Sequence, residues 1–103
     1  MNVAFLIGRV GRNPEIREFA NGGRVAQFTL ATNRYWRDRA TGERREKTDW
    51  HRIRVYGGAS GGLVDRVSRY VEKGVRLQIQ GEITSTTVSS DRGERIPVTF
   101  IDV

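Results

Sequence analysis

The sequence predicts an all-β fold with one helix, namely a five-stranded Greek-key barrel whose helix lies between the third and fourth strands. Three observations predict it. Most apolar stretches alternate with polar residues at a period of two, as in half-buried strands. Only residues 63–71 place apolar residues at helical spacing. That stretch follows three predicted strands and precedes two more, and 103 residues suit a single domain over 1–103.

The first two predicted strands differ in their patterns. Residues 3–7, VAFLI, are apolar on both faces, so we expect one face to meet the core and the other a partner subunit. Asn21-Gly22-Gly23 is a strong hairpin signal. It leads into a second strand over 24–34, in which Phe28 and Leu30 share one face.

The third predicted strand follows a polar segment. Residues 35–47 contain Thr41-Gly42, so they are predicted to be an extended loop or a hairpin tip. In the strand KTDWHRIRVYGG, 47–58, His51, Ile53 and Val55 form one face, which looks like a core. The other face carries a ridge of aromatic and guanidinium groups, Trp50, Arg52, Arg54 and Tyr56.

The remaining elements follow a glycine-rich link, GGASGG, at 57–62. It is predicted to be a hinge because it lacks the Lys-Ser/Thr ending of a P-loop. The helix is predicted to stop at Gly74 and to carry an apolar stripe of Leu63, Val64, Val67, Tyr70 and Val71. Strands over 75–83 and 96–103 complete the fold, with Pro97 favouring an edge or irregular position. This order of elements is that of the OB-fold.

Composition favours a polyanionic partner, with nucleic acid first and an anionic membrane second, over a solvated surface that is merely basic. The net charge is +6, and all the basic residues except Lys47 and Lys73 are Arg, whose guanidinium binds phosphate and stacks on flat rings. There is no Cys, which fits a reducing compartment. No apolar run is long enough for a bilayer, and MNVAFLIGRV becomes charged too early for a signal peptide. We therefore expect a cytoplasmic protein.

The ridge suits a single nucleic-acid strand. Residues 34–54 hold eight basic residues with Tyr35, Trp36 and Trp50 among them. Unpaired bases stack on aromatic rings and the phosphates between them need cations, whereas a duplex has already stacked its bases. The alternative is that these aromatic residues anchor a subunit interface.

The chain resembles the bacterial-type single-stranded DNA-binding protein family, SSB, of homotetrameric OB-fold proteins. The matching segments are NVAFLIGRVGRNPEIR, NGGRVAQFTLATNR, W-R-D-x-A-T-G-E, K-T-D-W-H-R and YVEKG…IQGEI. The resemblance implies sequence-independent binding of single-stranded DNA in replication, recombination and repair. It also implies a dimer-of-dimers tetramer near the nucleoid, with no cofactor and no membrane.

The resemblance also implies roles for individual residues. It makes Trp36 and Trp50 stacking residues and makes Tyr56 the equivalent of a position that is usually Phe. The implied phosphate-binding residues are Arg37, Arg39, Arg52 and Lys73. The implied subunit contacts are Asn2, Val3, Ala4, Phe5, Leu6 and His51.

The sequence departs from the family pattern at four places. Residues 84–90, TSTTVSS, lack the usual basic residues and tryptophan, so we expect a shorter site or weaker binding. GGASGG lengthens the link before the helix. Arg54 replaces an apolar residue on the ridge and is expected to restore some charge. The sequence ends at Val103 without the family's acidic-tipped tail, so partners recruited through a tail are not supported.

Three other functions stay open. An enzyme, such as a metal-dependent nuclease, has the least support, because no acidic residues suggest a metal site or an acid/base pair and His51 has no second His or any Cys beside it. No catalytic or metal-binding residue is predicted. An RNA-binding OB protein would use the same stacking. A primosome-type protein-interaction module would turn the ridge towards protein.

Overall fold

The computed structural model describes residues 1–103 as six strands and one helix. The strands are β1 (Ala4–Val10), β2 (Glu15–Glu18), β3 (Arg24–Arg37), β4 (Arg44–Gly57), β5 (Arg76–Ser89) and β6 (Arg95–Asp102). The helix α1 spans Gly62–Tyr70. It is the only helix, and no helix of the chain is both long and apolar enough to cross a bilayer.

Five of the strands close a barrel. The pairings run β1–β5–β6–β4–β3 and return from β3 to β1 through Arg9↔Ala31 and Val10↔Leu30. Only the β4–β6 pairing is parallel. The predicted five-stranded barrel is therefore confirmed. The helix follows β4 and precedes β5, which are the third and fourth strands of the barrel because β2 lies outside it.

The short strand β2 was not predicted. It pairs with residues 24–27 of β3, outside the ring, and all four of its residues are exposed. A strand without a buried face has no alternation of apolar and polar residues, so periodicity does not predict it. The turn between β2 and β3 has Gly22 at φ 87°, as the predicted Asn-Gly-Gly hairpin requires.

The core lies inside the barrel and under the helix. The inward positions of β3 and β4 alternate as predicted, and the helix adds one buried stripe. Leu63 and Tyr70, which the helical pattern placed in that stripe, are exposed instead. The buried cluster consists of Val10, Ala26, Phe28, Leu30, Ile53, Val55, Val64, Val67 and Ile101.

The glycine-rich link is held in place by a buried arginine. Arg24 donates to the carbonyl oxygens of Gly58 (2.6 Å) and Gly61 (3.2 Å) and to Asp65 Oδ1 (2.6 Å). Asp65 Oδ2 in turn accepts from the N–H of Gly61, at 2.6 Å. Gly61, at φ 72°, caps the helix without a side-chain bond. The helix ends at Tyr70, and the predicted stop glycine lies in the turn beyond it.

The β3–β4 hairpin extends well past the barrel. Of the two alternatives predicted for residues 35–47, the hairpin tip is correct and the extended loop is wrong, because both strands continue in register to the pair Arg37↔Arg44. Only 38–43 form the connection, where Asp38 Oδ1 accepts from the N–H of Ala40 at 2.8 Å. Polar residues on both faces hid these strands from a pattern based on burial. We call residues 33–48 the arm.

The edge position predicted for Pro97 is confirmed. β5 is one strand from residue 76 to 89, and Pro97 lies opposite its Thr87. The pairing of β6 with β4 is confined to Ile101 and Asp102, so β6 is paired on one side only at Pro97. A residue without an N–H is tolerated at such an edge.

Candidate nucleic-acid interface

The predicted ridge lies on the outer face of the barrel. Trp50, Arg52, Arg54 and Tyr56 alternate with the buried residues Ile53 and Val55 along β4. Trp50 is 60% exposed and Tyr56 is 49% exposed. Two large aromatic side chains are thus presented to solvent on one face, with arginines between them.

Gly11 creates the space that Trp50 occupies. A Cβ at Gly11 would lie 2.4 Å from the indole Cζ3 and 2.6 Å from Thr29 Oγ1. The N–H of Gly11 donates to the Thr29 carbonyl oxygen at 2.9 Å, which fixes this backbone beside β3. The β1–β2 connection therefore packs against the indole and restricts its movement while leaving much of the ring open.

Arg54 is placed on the ridge but is not a free cation. Its Nε and Nη2 donate to the two carboxylate oxygens of Asp102, at 2.7 and 2.9 Å. Its Cζ lies 3.8 Å from the centroid of the Phe100 ring and 5.5 Å from that of Tyr56. The Arg54 side chain is only 12% exposed. This corrects the expectation that Arg54 restores charge to the ridge, since Asp102 neutralises it.

The ion pair changes the pKa of both partners. The hydrogen bonds from Arg54 lower the pKa of Asp102, against the opposing effect of its burial. The bond to Asp102 likewise raises the pKa of Arg54. The guanidinium of Arg54 also lies within cation–π distance of the Tyr56 ring, 5.5 Å from its centroid.

Arg52 shares a surface cavity with a second arginine, Arg12, which the sequence analysis did not single out. A surface cavity of about 80 Å³ is lined by Arg12 and Arg52 together with Gln27, Thr29 and Phe100. Arg12 follows Gly11 in the β1–β2 connection, and a connection carries no periodicity from which its position could be predicted. The two guanidinium groups give this part of the ridge the positive charge that Arg54 does not supply.

The arm carries aromatic rings on both of its faces. β3 and β4 pair without a bulge, so cross-strand partners share a face. Trp50 is opposite Ala31, and Tyr35 lies on the same face as Ala31 because the two are four residues apart. Trp36 is on the other face, 44% exposed, with Arg34 Cζ 5.4 Å from its ring centroid. The two tryptophans therefore lie on opposite faces of one ribbon.

The other predicted cations are exposed. Arg37 donates to the Gly42 carbonyl at 3.3 Å, which keeps its guanidinium at the end of the arm. Arg39 lies in the connection between β3 and β4. The N–H of Lys73 donates to Asn13 Oδ1 at 2.8 Å, so Lys73 lies beside the connection that supports Trp50.

The N-terminal strand has an apolar outer face, as predicted. Val3, Phe5 and Ile7 are 39%, 66% and 54% exposed. Ala4 and Leu6 point inward and pack against the core. β5 pairs with β1 from Ala4 to Arg9, but β3 pairs only with Arg9 and Val10. One edge of β1 is therefore open over most of its length.

The two polar residues predicted at subunit contacts bond within the chain. Asn2 Nδ2 donates to the Ile83 carbonyl at 2.8 Å, and Asn2 Oδ1 accepts from the Ile83 N–H at 3.0 Å. His51 is half-buried, with its Nε2 2.8 Å from the hydroxyl of Thr32. No three His, Cys, Asp or Glu side chains converge anywhere in the chain.

A closed barrel with the OB order of elements and an exposed ridge of aromatic and arginine side chains defines an OB-fold of nucleic-acid-binding type. Residues 1–103 match the family described as "Single-strand binding protein family". The chain belongs to this family.

Individual relatives agree with the family. The single-stranded DNA-binding protein of Rickettsia felis is 43% identical over 94 residues, which cover 91% of this chain, and that of Rickettsia conorii is 42% identical over the same length. Among solved structures, "Plasmodium falciparum SSB complex with ssDNA" matches with a TM-score of 0.88 and 41% identity, covering all of this chain and 86% of that one. The chain spans 60% of the length of the Rickettsia relatives.

Proposed function

We propose that this chain binds single-stranded DNA without sequence preference. The observation that carries the proposal is the ribbon of β3 and β4, on which half-exposed aromatic rings alternate with arginines. Bases would stack on Trp36, Trp50 and Tyr56, and phosphates would meet Arg37, Arg39, Arg52 and Lys73. The names of the Rickettsia relatives and the single-stranded DNA in the Plasmodium complex support this proposal.

The proposed role is to coat and protect exposed strands during replication, recombination and repair. Binding by itself opposes re-pairing of the strand, so the role requires no catalytic turnover and no cofactor. It places the protein at the nucleoid in the cytoplasm. Residues 1–103 are proposed to act as one DNA-binding unit, and Arg54 to act through Tyr56 rather than on phosphate.

A titration of intrinsic tryptophan fluorescence tests the binding function. Poly(dT) should quench Trp36 and Trp50 deeply, and duplex DNA should quench them little, because stacking needs unpaired bases. Poly(U) at matched salt concentrations tests the RNA-binding alternative. Equal binding of duplex with a steep salt dependence would contradict the proposal, since it would mean that only the general positive charge attracts nucleic acid.

We also propose that the chain assembles as a homotetramer, a dimer of dimers. The open edge of β1 offers unpaired backbone groups beside the apolar side chains of Val3, Phe5 and Ile7, and such an edge favours pairing with a second copy. A two-fold axis through residues 2–9 would pair the open β1 edges of two copies and satisfy the backbone groups of both at once. Light scattering at micromolar protein should give the tetramer mass, and a monomer would contradict the proposal.

A further inference from the structure

Tyr35 and Arg44 form a stacked pair on the arm. Tyr35 lies on β3 opposite Glu46, and Arg44 lies two residues further along β4 on the same face. The Arg44 Cζ is 4.8 Å from the centroid of the Tyr35 ring. This distance is within the range of a cation–π contact, which orients the ring.

The fold gives this ring no packing role. The arm extends past the barrel, where every residue of β3 from Asn33 onward is exposed, and Tyr35 itself is 51% exposed. Two surface hollows of about 290 Å³ each adjoin the pair. One is lined only by aromatic and cationic residues, namely Tyr35, Trp36, Arg37 and Arg44. An exposed aromatic ring among cations is the arrangement that single-stranded nucleic acid requires.

We propose that Tyr35, oriented by Arg44, is an additional base-stacking subsite of the interface. Arg44 and its cross-strand neighbour Arg37 would neutralise the phosphates on either side of the stacked nucleotide. This inference rests on the proposed function, because it assumes that the ligand is a single strand with unpaired bases.

The position of Tyr35 offers the bound nucleic acid a second path along the arm. Tyr35 lies on the same face of the ribbon as Trp50, whereas Trp36 lies on the opposite face. A nucleic-acid strand stacked on Trp50 can therefore reach Tyr35 by following one face of the ribbon. To reach Trp36, the nucleic acid must pass around an edge of the ribbon. The arm thus binds nucleotides on both faces, with Tyr35 serving one face and Trp36 the other.

Three tyrosine variants test the subsite by titration with oligothymidylates of about 16 nucleotides, the upper end of the range for one OB-fold. Tyr35→Ala should raise the dissociation constant about 5- to 10-fold, in the lower range for the loss of one stacked base. Tyr35→Phe keeps the ring and should bind like the wild type. Tyr70→Ala removes an exposed tyrosine from the helix, away from the arm, and should also bind like the wild type.

Photo-crosslinking locates the contact directly. Wild-type protein is irradiated with an oligothymidylate that carries 5-iodouracil, and the crosslinked peptides are identified by mass spectrometry. We expect a crosslink at Tyr35 that is lost in Tyr35→Ala. Unchanged affinity of Tyr35→Ala together with no crosslink at this residue would overturn the subsite, while the wild type still bound the oligomer. Failure of the wild type to bind the oligomer would instead overturn the proposed function itself.

Discussion

Arg54 lies between Asp102 and Phe100, donating two hydrogen bonds to the carboxylate while its guanidinium lies 3.8 Å from the ring centroid. These contacts join β4 to β6 where the two strands pair over only Ile53↔Ile101 and Arg54↔Asp102. The N–H of Val103 also donates to the Arg54 carbonyl, at 2.9 Å. One arginine therefore supports the parallel pairing that closes the barrel.

Removing the carboxylate from this pair should destabilise the fold. Asp102→Ala leaves the guanidinium of Arg54 mostly buried without its anion, so we expect the free energy of unfolding to fall by about 2 kcal/mol. Urea denaturation measures the change. Asp49→Ala is the matched control, because the Asp49 side chain is 52% exposed in its ion pair with Lys47. This substitution should lower the free energy of unfolding by less than about 0.5 kcal/mol. Equal losses in the two variants would contradict this account.

The Arg54–Asp102 ion pair also predicts that the stability of the fold depends on pH. The pKa of Asp102 is lowered in the folded state, so its contribution is complete above the ordinary aspartate pKa and is lost as the pH falls through the lowered value. Asp65, whose pKa is lowered by Arg24 and by the Gly61 N–H, acts in the same direction. The melting temperatures of wild type and Asp102→Asn should differ at neutral pH and converge in acid. A difference that stays constant down to strong acid would show that the charge of Asp102 contributes nothing.

The buried guanidinium of Arg24 should hold the glycine-rich link. Arg24→Leu removes three hydrogen bonds and leaves the Gly58 and Gly61 carbonyls without their partner, so we expect about 2–3 kcal/mol of destabilisation. Hydrogen exchange should accelerate most over residues 58–65. Arg17→Leu on β2, where the side chain is exposed, is the control and should leave the exchange there unchanged. Protection that persists in Arg24→Leu would show that the link is held by other contacts.

The contributions of base stacking and of phosphate contacts to DNA affinity should respond differently to salt concentration. Trp50→Ala should weaken binding of poly(dT) by a factor of about 5 to 100 at every salt concentration, since stacking is not screened. Arg52→Ala should cost affinity at low salt and progressively less at high salt, because one fewer phosphate contact lowers the salt slope by roughly 0.7. Titrations of both variants across salt concentrations measure this. Equal losses for both at all concentrations would argue against the division of roles.

The predictions from sequence succeeded where a side chain alternates between core and solvent. Ile53 and Val55 are buried and Trp50 and Tyr56 are exposed, because a period of two in hydrophobicity reports directly on which face of a strand meets the core. This periodicity did not reveal the strands of the arm, because both faces of the arm are exposed and its residues show no alternation between core and solvent. Whether Trp36 shares a face with Trp50 therefore depended on the unbroken register of the hairpin.

The sequence by itself determined the order of the five barrel strands and the helix, the inward face of the barrel and the excess of positive charge. These depend on local periodicity and composition, which are properties of neighbouring residues. Only the tertiary structure decided that Arg54 is neutralised by Asp102, that Gly11 makes room for Trp50 and that Arg44 stacks on Tyr35. Each of these contacts joins residues that are distant along the chain or on separate strands, so its partner is set by strand pairing and barrel closure rather than by local pattern.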